Sequence, residues 1–506
     1  MAPRRGAGPL AGPTALIGER AGELSLFMRR VRDMVKRRPV TCGADISAVD
    51  VARRLSREAI GSIVVVDDDG APIGIVTDRD LRSRVVAAGR DPTGTRVRDI
   101  MSAPLVTLPP AAFAFEAVLA MTRHRIRHVV LVDEGRLVGV LSSQDFLALQ
   151  TTHPVTLARE IVQATSVEGL AALAARVTGL VRRLVEEGGT AYDVGQIVAE
   201  LNDRIVTRVL GLTAGALEEV GEPAPPVPFC WLVFGSEARR EQTLRTDQDN
   251  GLIYADPPSG EEAATAGYYT HFAGDVIRNL VTIGFPPCPG DAMASNPRWC
   301  QPLGVWAGYF RRWLDLPSPE EVLAASIYFD LRPLAGAFAQ AGALERILRT
   351  EAPANRGFLR LLASDVASRR VPLTLFGNIA TRSRGSLRGT VDIKAAGTLQ
   401  LTGAARLAAL EFGLSQTNTV DRLRAAAERG LYSAEDTREI TDAYQHLMRL
   451  RLVHQLEQIA AGAPPDNDVV HARLSHADAL LFRDALKTVE RVQAGIRERF
   501  ATDLLG

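Results

Sequence analysis

At 506 residues the chain is long enough for several domains of ordinary size. Its 59 basic and 59 acidic residues cancel, so no long-range field selects nucleic acid or an anionic membrane as the main partner. No apolar stretch reaches the roughly 18 residues that cross a bilayer, the N-terminus lacks a signal-peptide core, and the four cysteines (Cys42, Cys230, Cys288, Cys300) show no metal-ligand spacing. A cytoplasmic protein with no membrane or nucleic-acid partner is expected, with Cys230 inside an apolar run and zinc at Cys288 and Cys300 not expected.

Residues 1–30, rich in Ala, Gly, Pro and Arg, read as a flexible leader, with a helix beginning within Leu24–Val35. From 31 to 150 the chain repeats itself. Arg32-Asp33-Met34 answers Arg98-Asp99-Ile100 and Val40-Thr41 answers Val106-Thr107, both at an offset of 66. The offset then falls to 65, because Gly74-Ile75-Val76-Thr77 with Asp80 answers Gly139-Val140-Leu141-Ser142 with Asp145. The deletion therefore lies in the acidic hairpin turn, where loops tolerate it. Each copy reads as a strand, a helix (Ser47–Arg57; Ala112–His124), two strands and a final helix. This resembles a tandem pair of CBS modules. The resemblance implies a homodimer and binding of AMP, ADP or ATP, with Thr77, Asp80, Ser142 and Asp145 at the motif positions that meet phosphate and ribose. A Ser or Thr ending a strand caps the next helix and presents backbone N–H groups to an anion, and an Asp three residues on accepts from hydroxyls. A second reading stays open, in which these residues are N-caps only. His124 and His128 flank a strand and are assigned solvent-facing or core roles.

Residues 151–224 carry Leu and Val at helical spacing, closed by Gly188-Gly189 and then by a helix over Val194–Gly211, and are expected to form a helical connector. A Pro-rich stretch, Glu222 to Pro228, marks its end.

The stretch Phe229 to Tyr254, FCWLVFGSEARREQTLRTDQDNGLIY, carries the chemistry. Phe229–Phe234 reads as a buried strand that stops at Gly235-Ser236, and a second strand follows Asp247-Gln248-Asp249. Alternation puts the two acids on one side with Cα atoms roughly 7 Å apart. Two carboxylates about 4 Å apart repel by roughly 4 kcal/mol at an effective dielectric of 20, so a site that keeps both ionised wants a cation, and hard oxygen donors suit Mg²⁺ or Mn²⁺ with a nucleotide's phosphates. An isolated Asp-x-Asp is more often a polar turn. Here the whole segment resembles the nucleotidyltransferase superfamily, and most of all the glutamine synthetase adenylyltransferases and PII uridylyltransferases of nitrogen control. The resemblance implies that Gly235 and Ser236 approach the triphosphate and that Asp247 and Asp249 hold metal. A third carboxylate is implied on a later strand. Ala325–Leu331 is the candidate strand, and its only acid, Asp330, occupies the place of the catalytic Asp in a shortened Asp-Leu-Arg-x-Arg-Pro motif. Asp392 is next in line. Arg239 and Arg245 are candidate triphosphate ligands, since a planar guanidinium suits phosphate. Arg240 is expected to pair with Glu237 or Glu241 on a solvated turn. A helix over Ala263–Ile283 and an irregular loop, PPCPGDAMASNPRWC, complete the edge of the head.

From 341 to 506 the chain reads as helical, and Val391-Asp392-Ile393-Lys394 looks like a loosened Asn-Ile-Lys segment of the same adenylyltransferases. The expected fold class is α/β and α multidomain: leader (1–30), CBS pair (31–150), helical connector (151–224), mixed-sheet nucleotidyltransferase head (225–340) and C-terminal helical domain (341–506). The combination resembles bacterial signal-transduction nucleotidyltransferases. It implies transfer from Mg-bound ATP or another NTP to a hydroxyl of an unidentified protein acceptor, under control of the CBS pair. The competing class is a nucleotide-sensing interaction module that does not turn nucleotide over.

Overall fold

The computed structural model describes residues 30–35, 37–149, 153–244, 247–315, 325–383 and 387–502. Residues 1–29 of the leader and Arg245 lie outside the described residues, as does the start of the helix expected from Leu24. The chain divides into two compact units, 1–157 and 158–506. Among the described residues no helix is long and apolar enough to cross a membrane.

The first unit is the repeat made physical. Strands β1 (Thr41–Gly43), β2 (Ser62–Val66) and β3 (Pro72–Thr77) form one sheet, and β4 (Thr107–Leu108), β5 (His128–Asp133) and β6 (Arg136–Ser142) form the other. Each sheet pairs its first two strands in parallel and its last two antiparallel, with a bulge at equivalent places, Val65/Val66 and Leu131/Val132. The shorter second hairpin turns on Glu134 and Gly135, both at positive φ, as a two-residue turn requires. The segment leading each copy packs on the other copy. Val35 fills the space over Gly139, where a Cβ would come within 2.6 Å of it, and Met101 fills the equivalent space over Gly74. Backbone bridges Arg30–Phe113 and Ser47–Arg96 repeat the exchange at the same offset of 66.

The second unit centres on a four-stranded sheet in the order β10-β7-β8-β9, with β7 Phe229–Phe234, β8 Asn250–Tyr254, β9 Cys300–Pro302 and β10 Leu331–Gly336. The apolar run of β7 is buried on both faces as its composition demands. The strand expected over Ala325–Leu331 is instead a 3-10 turn, Ser326–Phe329, and pairing starts only at Leu331. Tyr328 and Phe329 use that turn to join an aromatic core with Phe234, Trp306 and Trp313. Helices Val167–Glu186 and Ala191–Glu219, expected as a connector, pack on helix Glu262–Ile283 of the head and fall within the same unit. Among the described residues six α-helices between Ala339 and Phe500 make the C-terminal part, and a two-stranded ribbon, β11 (Thr390–Asp392) with β12 (Asp468–Val470), lies among them.

Candidate functional site

Asp247, Gln248 and Asp249 enter β8, and the Pro-rich loop runs beside them. Gln248 donates its backbone N–H to Pro286 (3.1 Å) and its side-chain amide to Phe285 (3.0 Å), while Asn250 is tied to Ala292 and Ala294. These bonds lay Cys288 against the acids. One ligand atom each from Asp247, Asp249 and Cys288 lies within 4.8 Å of the other two. Gly235 closes the fourth side at φ 54°, a left-handed conformation suited to glycine, and a Cβ there would sit 3.2 Å from an Asp249 oxygen. Gly235 and Ser236 open a single helical turn, Gly235–Ala238.

The electrostatics are those of an under-compensated anionic site. Burial pushes the Asp249 carboxyl up to about 6, with Asp247 adding to the shift and a hydrogen bond from the Cys288 thiol, Lys394 and Arg239 opposing it. Burial also holds the Cys288 thiol at about 11, with Asp249 as a further cause. Lys394 faces both acids, and its own ammonium is lowered by burial and by Arg451. Arg451 is 9 % exposed and interacts with Asp247 as well. The loosened Ile-Lys segment is the one sequence signal that points to Lys394. Nothing in the spacing of Cys288 or Arg451 marks them.

Asp330 does not join this cluster. Phe234 pairs with Leu331, and Val233 pairs with both Arg332 and Asn250. By alternation Asp249 continues the Phe234 face and Asp330 continues the Val233 face. The Asp330 side chain is fully buried and ion-paired with three arginines: Arg239 (2.5 Å) and Arg406 (2.6 Å) share one oxygen, and Arg422 (2.5 Å) takes the other. Burial alone would raise its pKa, but Arg406, Arg422 and Arg239 outweigh burial and hold the carboxyl far below the usual range. Both oxygens are engaged by arginines, so Asp330 stands apart from the acid pair that it is expected to complete as third metal ligand and base. Asp392, the next candidate, accepts the Ala395 N–H (3.0 Å) as a turn cap and lies outside the cluster.

The arginine assignments change for the same reason. Arg239 is spent on Asp330 and Glu241, and Glu241 also accepts the Thr419 N–H (2.5 Å), so this connection ties the head to the C-terminal helices and is not a free triphosphate ligand. Arg240, expected to pair with Glu237 or Glu241, pairs with Glu200 and Asp203 on helix Ala191–Glu219. Arg332 adds a bidentate bond to Asp203 (2.8 and 2.9 Å).

In the first unit a cleft of about 1800 Å³ holds both repeat motifs. Thr77 and Asp80 form a capping box, with the Asp80 carboxylate accepting from the Thr77 N–H (2.9 Å) and hydroxyl (2.6 Å). Ser142 and Asp145 repeat it at 2.8 and 2.7 Å. Capping and ligand contact are compatible, since all four residues line the cleft. His128 also lines it, between Asp78, Asp80 and Asp145, and burial lowers its pKa. The two halves are not chemically equal: Arg125 and Arg127 line the cleft where their counterparts at the offset of 66 are Ala59 and Gly61. Arg125 and Ala59 share a left-handed φ, 53° and 50°, so the backbone is conserved between copies while the charge is not.

Family matches fall on both units of the chain. Residues 175–320 match the family described as Putative nucleotidyltransferase DUF294, residues 356–500 match the Putative nucleotidyltransferase substrate binding domain, and residues 31–87 and 97–151 each match the CBS domain. An uncharacterised protein of Methanopyrus kandleri is 35% identical over 26% of this chain and 67% of its own length. Inosine-5'-monophosphate dehydrogenase of Mycobacterium tuberculosis is 34% identical over 28% of this chain, which spans only 25% of that enzyme. Among solved structures, a CBS domain protein from Pyrobaculum aerophilum complexed with AMP is 33% identical over 24% of this chain and all of its own, with a TM-score of 0.23.

Proposed function

From the premise that this chain belongs to the CBS-domain proteins and carries both DUF294 nucleotidyltransferase domains, we propose that it is a cytoplasmic, homodimeric regulatory enzyme that transfers a nucleotidyl group from a metal-bound NTP to a protein hydroxyl. The observation that carries this reading is the convergence of Asp247 and Asp249 beside the close-packed backbone of Gly235, with Lys394, within the matched substrate-binding domain, acting on both acids. The donor set fits a divalent ion, because Asp247 repels the buried Asp249 and the cations acting on the pair, Lys394 among them for both acids, leave the Asp249 carboxyl raised. Asp247 and Asp249 would hold Mg²⁺ or Mn²⁺, which supplies charge neutralisation for the triphosphate when bound. Gly235 and Ser236 let the phosphates approach the backbone, and Lys394 offers them a point charge. The residue likeness to glutamine synthetase adenylyltransferases and PII uridylyltransferases favours adenylyl or uridylyl transfer.

The CBS cleft is the proposed control site, taking AMP, ADP or ATP through Thr77/Asp80 and Ser142/Asp145. Arg79 and Arg82 beside Asp80, and Arg125 and Arg127 of the second copy, also line the cleft and offer guanidiniums to a ligand's phosphates. Incubating the full-length protein with α-phosphate-labelled NTPs and cell extract should transfer label to a discrete acceptor, and Asp247→Asn should abolish that transfer. Labelling that is unchanged in the variant would refute the assignment. The competing reading, a sensing module that binds nucleotide without turnover, is favoured by one observation: Asp330 is withheld from the pair by three arginines. Metal-dependent NTP binding with no label on any protein would support it.

A further inference from the structure

Cys288 is absorbed by neither of these readings. Of the four cysteines, Cys42, Cys230 and Cys300 are buried, and only Cys288 is partly exposed with its sulfur beside two carboxylates. The loop that carries it is stitched to the entrance of β8 by the Gln248 and Asn250 bonds described above. It is pinned further by Cys288 N–H to Met293 Sδ (3.4 Å) and Asp291 N–H to the Cys288 carbonyl (3.0 Å). The thiol is thus held at the acids by the backbone rather than by side-chain chance.

We propose that Cys288 completes a three-donor site with Asp247 and Asp249 that selects thiophilic divalent ions, so that zinc binds there more tightly than magnesium and competes with it. The proposal rests on the reading of the acid pair as a metal site. The geometry is close to what such an ion needs. Zn–O bonds of about 2.0–2.2 Å and a Zn–S bond of about 2.3 Å put tetrahedral ligands about 3.4–3.6 Å apart, and the three donor atoms already lie within 4.8 Å of one another. The donor chemistry separates the ions. Magnesium prefers oxygen and retains its waters, so it gains nothing from sulfur, whereas the Cys288 thiol, releasing its proton to solvent as the ion binds, adds a strong thiolate bond to zinc or cobalt. Cys288 would then set metal identity at the same carboxylates that hold the nucleotide's metal.

The test is to titrate full-length protein with Co²⁺ as a spectroscopic stand-in for zinc, without nucleotide. Binding should bring a near-ultraviolet thiolate-to-cobalt charge-transfer band. That band should vanish in Cys288→Ser and in Cys288→Ala, and persist in Cys300→Ser. Zinc affinity, measured by competition with a chromophoric chelator, should fall in Cys288→Ser by at least the roughly 10–100-fold that losing an outer-shell partner costs. Mn²⁺ binding by the same variant should stay within about twofold. Co²⁺ bound without the band, or zinc affinity unchanged in both Cys288 variants, overturns the proposal and leaves the acid pair standing as a metal site. Failure of Mn²⁺ as well as Co²⁺ to bind the unaltered protein overturns both.

Discussion

Asp249 and Asp330 flank the same buried strand, Phe229–Phe234, one at the start of β8 and the other at the start of β10, yet they live in opposite surroundings. Asp330 has three guanidiniums on its two oxygens. Asp249 is nearly as buried, at 9 % exposed, and its nearest charged neighbours include another carboxylate. Burial raises both pKa values, and only at Asp330 do resident cations reverse the shift. The lesson is that an acid's role is decided by who supplies its counter-charge. Asp330 receives it from the chain and becomes a joint between head and C-terminal helices. Asp249, with Asp247, is left to receive it from solution.

The largest expected effect that would break this contrast is at Asp330. Asp330→Asn leaves two buried arginines and the largely buried Arg406 against a neutral amide, and it should destabilise the second unit by about 3–5 kcal/mol in urea unfolding. A change under about 1 kcal/mol would mean that the clamp is dispensable. Asp249→Asn should do the reverse. Its folded pKa is raised to about 6, so the ionised form costs stability above that pH. Removing the charge should stabilise the metal-free protein at pH 8 by about 1–3 kcal/mol while destroying metal binding. Equal destabilisation by the two variants would erase the distinction.

pH sharpens the contrast further. For Asp330 the folded pKa is depressed, so its contribution is complete above the unfolded value near about 3.9 and declines as pH falls below it. Metal affinity at the acid pair should instead fade earlier, as pH drops through about 6 and Asp249 takes up a proton. A metal affinity flat from pH 7.5 to 5.5 would contradict this order. A smaller effect is expected at Lys394. Lys394→Met should weaken NTP binding by a little over about tenfold, the value of one charge-assisted hydrogen bond, and leave thermal stability nearly unaltered, as differential scanning calorimetry would check.

Much of this architecture was legible in the residues themselves. The duplicated motifs at offsets of 66 and 65 become two sheets with matching bulges and exchanged leading segments, because local pattern and short-range pairing decide them. The acid pair was legible for the same reason, with two donors on one short segment. The clamp was not, since Arg406 and Arg422 lie 76 and 92 residues from Asp330 and only tertiary packing brings them there. The run Ala325–Leu331 misled because a short apolar stretch fits a strand or a helical turn equally, and packing of Tyr328 and Phe329 chose the turn. Cys288 escaped because its partners are reached through backbone bonds of an irregular loop, which leave no spacing to read.

The central claim, that Asp247 and Asp249 form a site which takes its counter-charge from solution, is tested most directly by Mn²⁺ titration of the full-length protein followed by electron paramagnetic resonance, without nucleotide. The account predicts a site that retains Mn²⁺ in the unaltered chain at pH 7.5 and loses it in both Asp247→Asn and Asp249→Asn, with folding of each verified by circular dichroism. Mn²⁺ retention that is unchanged in the two variants would contradict it.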